Sequence, residues 1–379
     1  MSLFPRRAAV SAALLVCLGF AHAGAQQPAA TPPAKVKKNP LLKLVEPWPT
    51  PEKLHERRLE AEASPLFAET EPLAVTLTAD FKAVNRDRDP ASKRRFPGTL
   101  AFGADKTLDV QIGARGHVRR MSRTCDYVPL RLEFVKKATA GTVFARQDAL
   151  KLVVQCAGGG DFEQYLLREY LAYKIYNVVT TRSFRARLAR VSYVDSASGK
   201  SLGTRVGMFL EDDGDVARRM EGRIVELQRL MFDDLDMDSL MPMMVFEYMI
   251  GNTDYSIFAL HNVRIVQRPD KSLHPVPYDF DFSGLVNPPY AVPGRGMMIK
   301  SVVDRVYRGP CRRQELVDPI VANFVAKKDV IRALPESIPG ISKTVRDDTR
   351  MYIDSFYGSV KSAKDVRGLF VSCSPKPTM

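Results

Sequence analysis

Histidine is scarce in this 379-residue chain. There are five, none lies in an H-E-x-x-H segment, and none stands beside cysteines at zinc spacing, which excludes the common zinc chemistries. A G-x-S-x-G elbow is also missing, so the usual serine-hydrolase arrangement is excluded. The glycine run Gly158-Gly159-Gly160 precedes a helical pattern but lacks the Gly-Lys-Ser/Thr ending of a phosphate loop, and reads as a flexible connection. Asp234, Asp236 and Asp238 are spaced like a calcium loop. Ser239 and Val245 fill the positions where that loop needs glycine and glutamate. Long apolar runs are lacking too: the stretch from Ala8 to Phe20 is too short to span a bilayer comfortably.

That short run has a different meaning. Arg6 and Arg7 precede it, and small residues at Ala21, Ala23 and Ala25 follow, which is the layout of a secretory signal over residues 1–25 cleaved after Ala23 or Ala25. Bulky Val16 before Cys17 argues against a lipoprotein. The expectation is an exported protein (periplasmic, cell-envelope or secreted) with no retained membrane span. Four cysteines remain after cleavage, Cys125, Cys156, Cys311 and Cys373. An even number in an oxidising compartment predicts two disulfides. Three pairings are open, and Cys125 with Cys156 is favoured because both lie at the ends of apparent neighbouring strands. The formal charge of +13 includes the two leader arginines, so the mature surface stays basic. Such a surface attracts nucleic acid, anionic envelope polymers or phosphorylated ligands; export argues against nucleic acid. Oligomeric state is left open.

With 45% hydrophobic and 26% charged residues, the chain can bury a sizeable core. A Pro/Lys-rich tether is expected over 26–70. From 71 to 212 short β-like runs dominate: LAVTLT at 73–78, TLDVQI at 107–112, PLRLEF at 129–134, LKLVVQC at 150–156, ARLARVSYV at 186–194 and GTRVGMFL at 203–210. One helix interrupts them at 162–177, with Asp161 placed to cap it. A boundary is read at the acidic turn 211–215. From 213 to 379 the pattern is mainly helical, starting with VARRMEGRIVELQRLM at 216–231; Asp238 can then cap an apolar helix that Gly251 stops.

Residues 251–284, GNTDYSIFALHNVRIVQRPDKSLHPVPYDFDFSG, set Asp254, Asn262, Asp279 and Asp281 among apolar neighbours. Carboxylates are costly to bury there unless they meet a cation or a donor. If Arg268 and Leu273 flank a hairpin turn, Asn262 stands directly opposite Asp279, with Cβ atoms about 4.5–5.5 Å apart. Two oxygen-bearing side chains so placed can share one Mg²⁺. The competing reading is local: Asn262 and Asp254 as caps, and the acids of Asp279-Phe280-Asp281 bonded to nearby backbone.

The segment resembles the catalytic loop and DFG-type element of protein-kinase-like enzymes, and in particular the CotH-type atypical kinases. The residues that carry the resemblance are Asn252-Thr253-Asp254, His261-Asn262, and Tyr278 to Asp281, with Asp281 in place of the glycine of DFG. It extends weakly from about Ile112. It implies an α+β, two-lobed, protein-kinase-like fold with an antiparallel sheet-rich N-lobe and a mainly helical C-lobe. It implies an enzyme that transfers phosphate from Mg²⁺-ATP to a protein or anionic envelope acceptor. Asp254 then looks like the catalytic base, and Asn262 and Asp279, with Asp281, look like metal ligands. Lys151, held by Glu169, and Arg115 look like nucleotide-phosphate contacts. Taken singly, each fits a plainer role better: Lys151 as a solvated strand lysine, Glu169 as a local partner of Arg168 or Lys174, and Arg115 as part of an exposed basic turn; only the strand-then-helix order followed by 251–284 favours the phosphate role for Lys151 and Glu169. The alternative function is a non-catalytic binding module of the cell envelope.

Overall fold

The computed structural model describes residues 42–294 and 297–373. The signal sequence and the first part of the tether lie outside the described residues. Contacts hold the described residues together as one compact unit. In chain order the elements are α1 Leu42–Val45, α2 Pro51–Glu62, β1 Leu73–Ala79, α3 Phe81–Arg86, β2 Phe96–Phe102, β3 Lys106–Ala114, β4 Leu130–Phe134, β5 Ala149–Val154, α4 Gly160–Val179, β6 Ala186–Asp195 and β7 Ser201–Leu210. There follow α5 Asp213–Arg219, β8 Arg223–Val225, α6 Met237–Ile250, β9 Val263–Gln267, β10 Leu273–Pro277, α7 Gln314–Ala326, α8 Lys328–Ser337, α9 Lys343–Ser359 and α10 Ala363–Val366.

Seven strands close into a mixed barrel in the order β1-β2-β3-β4-β5-β7-β6, beside a three-stranded sheet β10-β9-β8 and the helices. This overturns the expected two-lobed kinase-like fold with an antiparallel N-lobe. The closing pair decides it: β6 runs parallel to β1, from Leu73 opposite Ala189 to Ala79 opposite Asp195. A barrel so closed exposes no strand edges. The strand β2, FPGTLAF, was not legible because Pro97 and Gly98 break its pattern. Gly98 is required there, since a Cβ would stand 2.6 Å from the Thr78 carbonyl oxygen on β1.

The barrel interior is filled by Val75, Leu77, Leu100, Ile112, Leu132, Leu152 and Phe209, with Phe144 packed against Phe102, Phe134 and Phe209. A second core lies outside the barrel, where α4 and α6 meet the small sheet through Leu171, Ile175, Phe246, Ile265 and Val276. β5 faces both. Leu150, Leu152 and Val154 turn into the barrel while Val153 packs in the outer core. Strand alternation therefore places Lys151 on the outer face.

Three local readings change. The helix expected over 216–231 ends at Arg219, because Glu221 takes a left-handed backbone (φ +52°) and Arg223–Val225 pairs with β9. The stretch 51–62, assigned to the tether, is a helix capped by the Thr50 hydroxyl, with Leu54 and Ala61 buried. α6 is capped by Asp236 rather than Asp238, and Gly251 ends it at φ +65°.

Candidate active site

The β9–β10 hairpin has a three-residue turn. Arg268 N–H donates to Ser272 O at 3.0 Å and Lys271 N–H to Arg268 O at 2.9 Å, with Lys271 left-handed at φ +70°. Gln267, not Arg268, therefore pairs with Leu273. The register slips by one, and Asn262 faces Tyr278, whose N–H donates to Asn262 O at 3.0 Å. A one-residue slip in a regular strand reverses its faces. Asn262 and Asp279 are not regular: both are left-handed, at φ +53° and +66°.

Asp254 and Asn262 are nevertheless brought together. Asn262 Nδ2 donates to Asp254 O at 2.7 Å and to Asp254 Oδ2 at 3.0 Å, while His261 Nε2 lies 3.1 Å from Asp254 Oδ1. The hydrogen bond to Asp254 raises the His261 pKa despite partial burial. With Asn262 Nδ2 engaged, its Oδ1 is the atom available to a cation. Asp254 N–H donates to Asn252 Oδ1 at 3.0 Å, and Arg308 Nη1 donates to Thr253 O and Tyr255 O at 2.5 and 3.0 Å. Behind this loop, Glu247 on α6 is buried with both carboxylate oxygens unpartnered. Burial pushes its pKa up to about 8, with Asn252 and Arg308 opposing.

The acids Glu169, Asp279 and Asp281 come from α4 and from the segment after β10. Glu169 and Asp281 are buried, at 2% and 5% exposure. Arg119 Nη1 stands 3.9 Å from Glu169 Oε2, and Glu169 Oε1 has no hydrogen-bond partner. Tyr290 donates its hydroxyl to Asp281 Oδ2 at 3.1 Å, and Asp279 N–H donates to the Tyr173 hydroxyl at 2.9 Å. Burial raises Glu169 well above the carboxylate range, and Asp281 and Asp279 push it further. Burial and Asp279 likewise push Asp281 up to about 7. Burial opposes the charge on Arg119, but Tyr290, Asp281, Glu169 and Asp279 outweigh it and raise its pKa. Among the described residues no three His, Cys, Asp or Glu side chains already stand in metal-ligating geometry. The disulfide Cys125–Cys156, the pairing favoured from the strand ends, ties the segment after Arg115 and Arg119 to the end of β5; the other disulfide is Cys311–Cys373.

Lys151 does not meet Glu169. Its ammonium lies 2.5 Å from Asp213 Oδ1, and Arg264 Nε lies 2.7 Å from Asp213 Oδ2. Both cations sit over the Tyr278 ring, 4.8 and 4.5 Å from its centroid. Burial lowers the Lys151 pKa; Asp213 opposes this, and Arg115 and Arg264 add to it. The Arg115 Nε is buried without a partner. Beside this cluster opens a cavity of about 620 Å³ lined by Asp213, Ile224, Val225, Leu260, Arg264 and Ile265 among others. A second, of about 700 Å³ and rich in charged side chains, also reaches Asp213 and Ile224.

Asp213 and Arg119 lay within stretches visible in the sequence, the acidic turn 211–215 and the basic turn Arg115-Gly116-His117-Val118-Arg119-Arg120. Arg264, Tyr173 and Tyr290 carried no signal, because nothing local distinguishes them from ordinary strand, helix and loop residues. No protein-family model and no curated protein matches this chain.

Proposed function

We propose that this chain is an exported phosphotransferase, an atypical kinase that moves a phosphoryl group from Mg²⁺-ATP to a hydroxyl of a protein or cell-envelope component. The observation that carries this reading is the convergence of Glu169, Asp279 and Asp281 with Arg119, leaving one buried Glu169 oxygen unpartnered. Carboxylates buried beside other carboxylates are poised for a cation. The fit is supported by Asn262, Asp279 and Asp281, the residues that would hold it. Mg²⁺ bound there would neutralise these acids and counter the charge of a triphosphate. Asp254, fixed by His261 and Asn262 yet with a side chain 38% exposed, accepts the proton of an incoming hydroxyl and orients it. Arg115, Lys151 and Arg264 supply positive charge for phosphate oxygens, and the cavity of about 620 Å³ beside them is large enough for a nucleoside. Glu169 acts with Arg119 and not as the holder of Lys151. The two disulfides fit an exported protein, and among the described residues no helix is long and apolar enough to cross a membrane.

Thermal unfolding with ATP, with and without Mg²⁺, tests the reading. Mg²⁺-ATP at about 100 times its Kd stabilises by about 2.7 kcal/mol, and Asp279→Ala abolishes the Mg²⁺-dependent part. No nucleotide effect with any divalent metal overturns it. A non-catalytic envelope-binding module is the second reading, favoured by one observation: the Lys151 ammonium is already engaged by Asp213.

A further inference from the structure

An apolar groove of about 350 Å³ opens on the far side of the Asp254 loop, lined by Leu230, Met231, Phe232, Tyr255, Ile257 and Phe258 among others. Met231 is 59% exposed and Phe258 51%. Large apolar side chains gathered at the surface in this way mark binding sites more often than inert surface. The loop is a closed unit, since Ser256 and His261 bridge across its base with hydrogen bonds of 2.9 and 2.8 Å. Asp254 and His261 occupy that base, and Phe258 the tip. Arg229 N–H donates to Phe258 O at 2.7 Å, pinning the tip. Ala259 lines both this groove and the cavity of about 620 Å³, so the groove adjoins that cavity.

We propose that this groove receives an apolar side chain of a polypeptide acceptor, close in sequence to the serine or threonine whose hydroxyl meets Asp254. The inference rests on the phosphotransferase reading and names the class of its acceptor. Reach sets the spacing: Tyr255 adjoins Asp254 and Phe258 lies four residues on, so the groove begins next to Asp254 and extends no more than roughly 14 Å from it. An extended acceptor covers that distance in about one to four residues. Chemistry sets the class. The groove offers aromatic and methionine surface, which suits an apolar anchor and adapts to different ones. Its one lining cation, Arg308, is committed to the carbonyls of Thr253 and Tyr255 and to the face of Tyr255, 5.0 Å from the ring centroid. Asp233 and Asp234 follow Phe232, both exposed; Asp233 is paired with Arg312, and Asp234 accepts from the Met231 N–H at 2.7 Å. An anionic polymer or an anionic lipid surface meets the Asp234 carboxylate there; a peptide with a basic residue beside its apolar anchor finds complementary charge.

The test uses the full chain and a fluorescent serine peptide with leucine about three positions from the serine, against the same peptide with alanine there. Fluorescence anisotropy measures binding, and phosphate incorporation from Mg²⁺-ATP measures transfer. The expected result is a preference for the leucine peptide of about tenfold to a hundredfold, the worth of burying one large apolar side chain. The pair of surface substitutions Phe258→Ser and Met231→Ser should erase that preference while leaving the Mg²⁺-ATP thermal shift unchanged. Equal binding of the two peptides by the wild type overturns the inference. So does loss, in the double variant, of binding to phosphatidylglycerol vesicles with no peptide preference in the wild type, which assigns the groove to a membrane. A leucine preference in anisotropy without any phosphate transfer leaves the groove as a peptide site and sinks the phosphotransferase reading, so the two fail separately.

Discussion

Glu247 is the residue whose ionisation bears most directly on the loop carrying Asp254. Its carboxyl is buried and unpartnered, and around it stand Asn252, Arg308, Asp254, Tyr176 and Tyr255. Its folded pKa, about 8, is above the unfolded value of about 4.3, so the folded state holds the proton more tightly. Stability is then fullest below about pH 4 as far as this group is concerned, and falls as pH climbs to about 8, by roughly 5 kcal/mol. Glu247→Gln keeps the shape and the neutral state. Urea unfolding should find the variant close to wild type at pH 5 and more stable by a few kcal/mol at pH 9; an unchanged pH slope would show that Glu247 is ionised in the fold. At the same scale, the partner exchange around Lys151 was beyond local reading. Alternation along β5 placed it on the outer face, but only packing decides that Asp213, 62 residues on, reaches it before Glu169 does.

At the scale of elements, the hairpin turn sets the register of the candidate site. Lys271 holds a left-handed conformation, which a non-glycine residue adopts at a cost of about 1 kcal/mol. Lys271→Gly should therefore stabilise the protein, by about 0.5–1 kcal/mol in chemical denaturation, without moving Asn262 relative to Tyr278. A destabilised variant would mean that the lysine side chain matters more than its backbone. The sequence pointed to this hairpin through two β-like runs around Pro269 to Ser272. Its register was misread by one because a four-residue loop and a three-residue loop with one left-handed residue look alike in sequence. The helix α4, the buried helix α6 and its glycine stop were legible for the opposite reason, because periodicity and a glycine stop are local; the N-caps were misread, Asp161 lying within α4 and Asp236 rather than Asp238 capping α6.

For the whole molecule, two covalent links close long loops. Cys125–Cys156 spans 31 residues and Cys311–Cys373 spans 62, and loop-closure entropy makes each worth about 4 kcal/mol. Replacing Cys125 and Cys156 by serine should lower unfolding stability by about that amount. It should also weaken Mg²⁺-ATP binding, since the Arg119 segment loses its tie to β5. An equal loss of stability with unaltered nucleotide binding would confine the disulfide to a structural role.

The even cysteine count, the positions of six barrel strands and the acids of 251–284 were fixed by residues that act on their immediate neighbours, and the sequence by itself determined them. The closed barrel was decided by tertiary structure alone. Its closing contact is a parallel pairing of strands more than a hundred residues apart, and its missing strand is held by a glycine whose value lies in what approaches it. The same holds for the candidate site. Asp254, Asn262, Asp279 and Asp281 announced themselves by being charged or polar in apolar company. Their partners Arg119, Tyr173 and Tyr290, and the Asp213 and Arg264 that meet Lys151, become specific only where the folded chain removes them from water and sets them side by side.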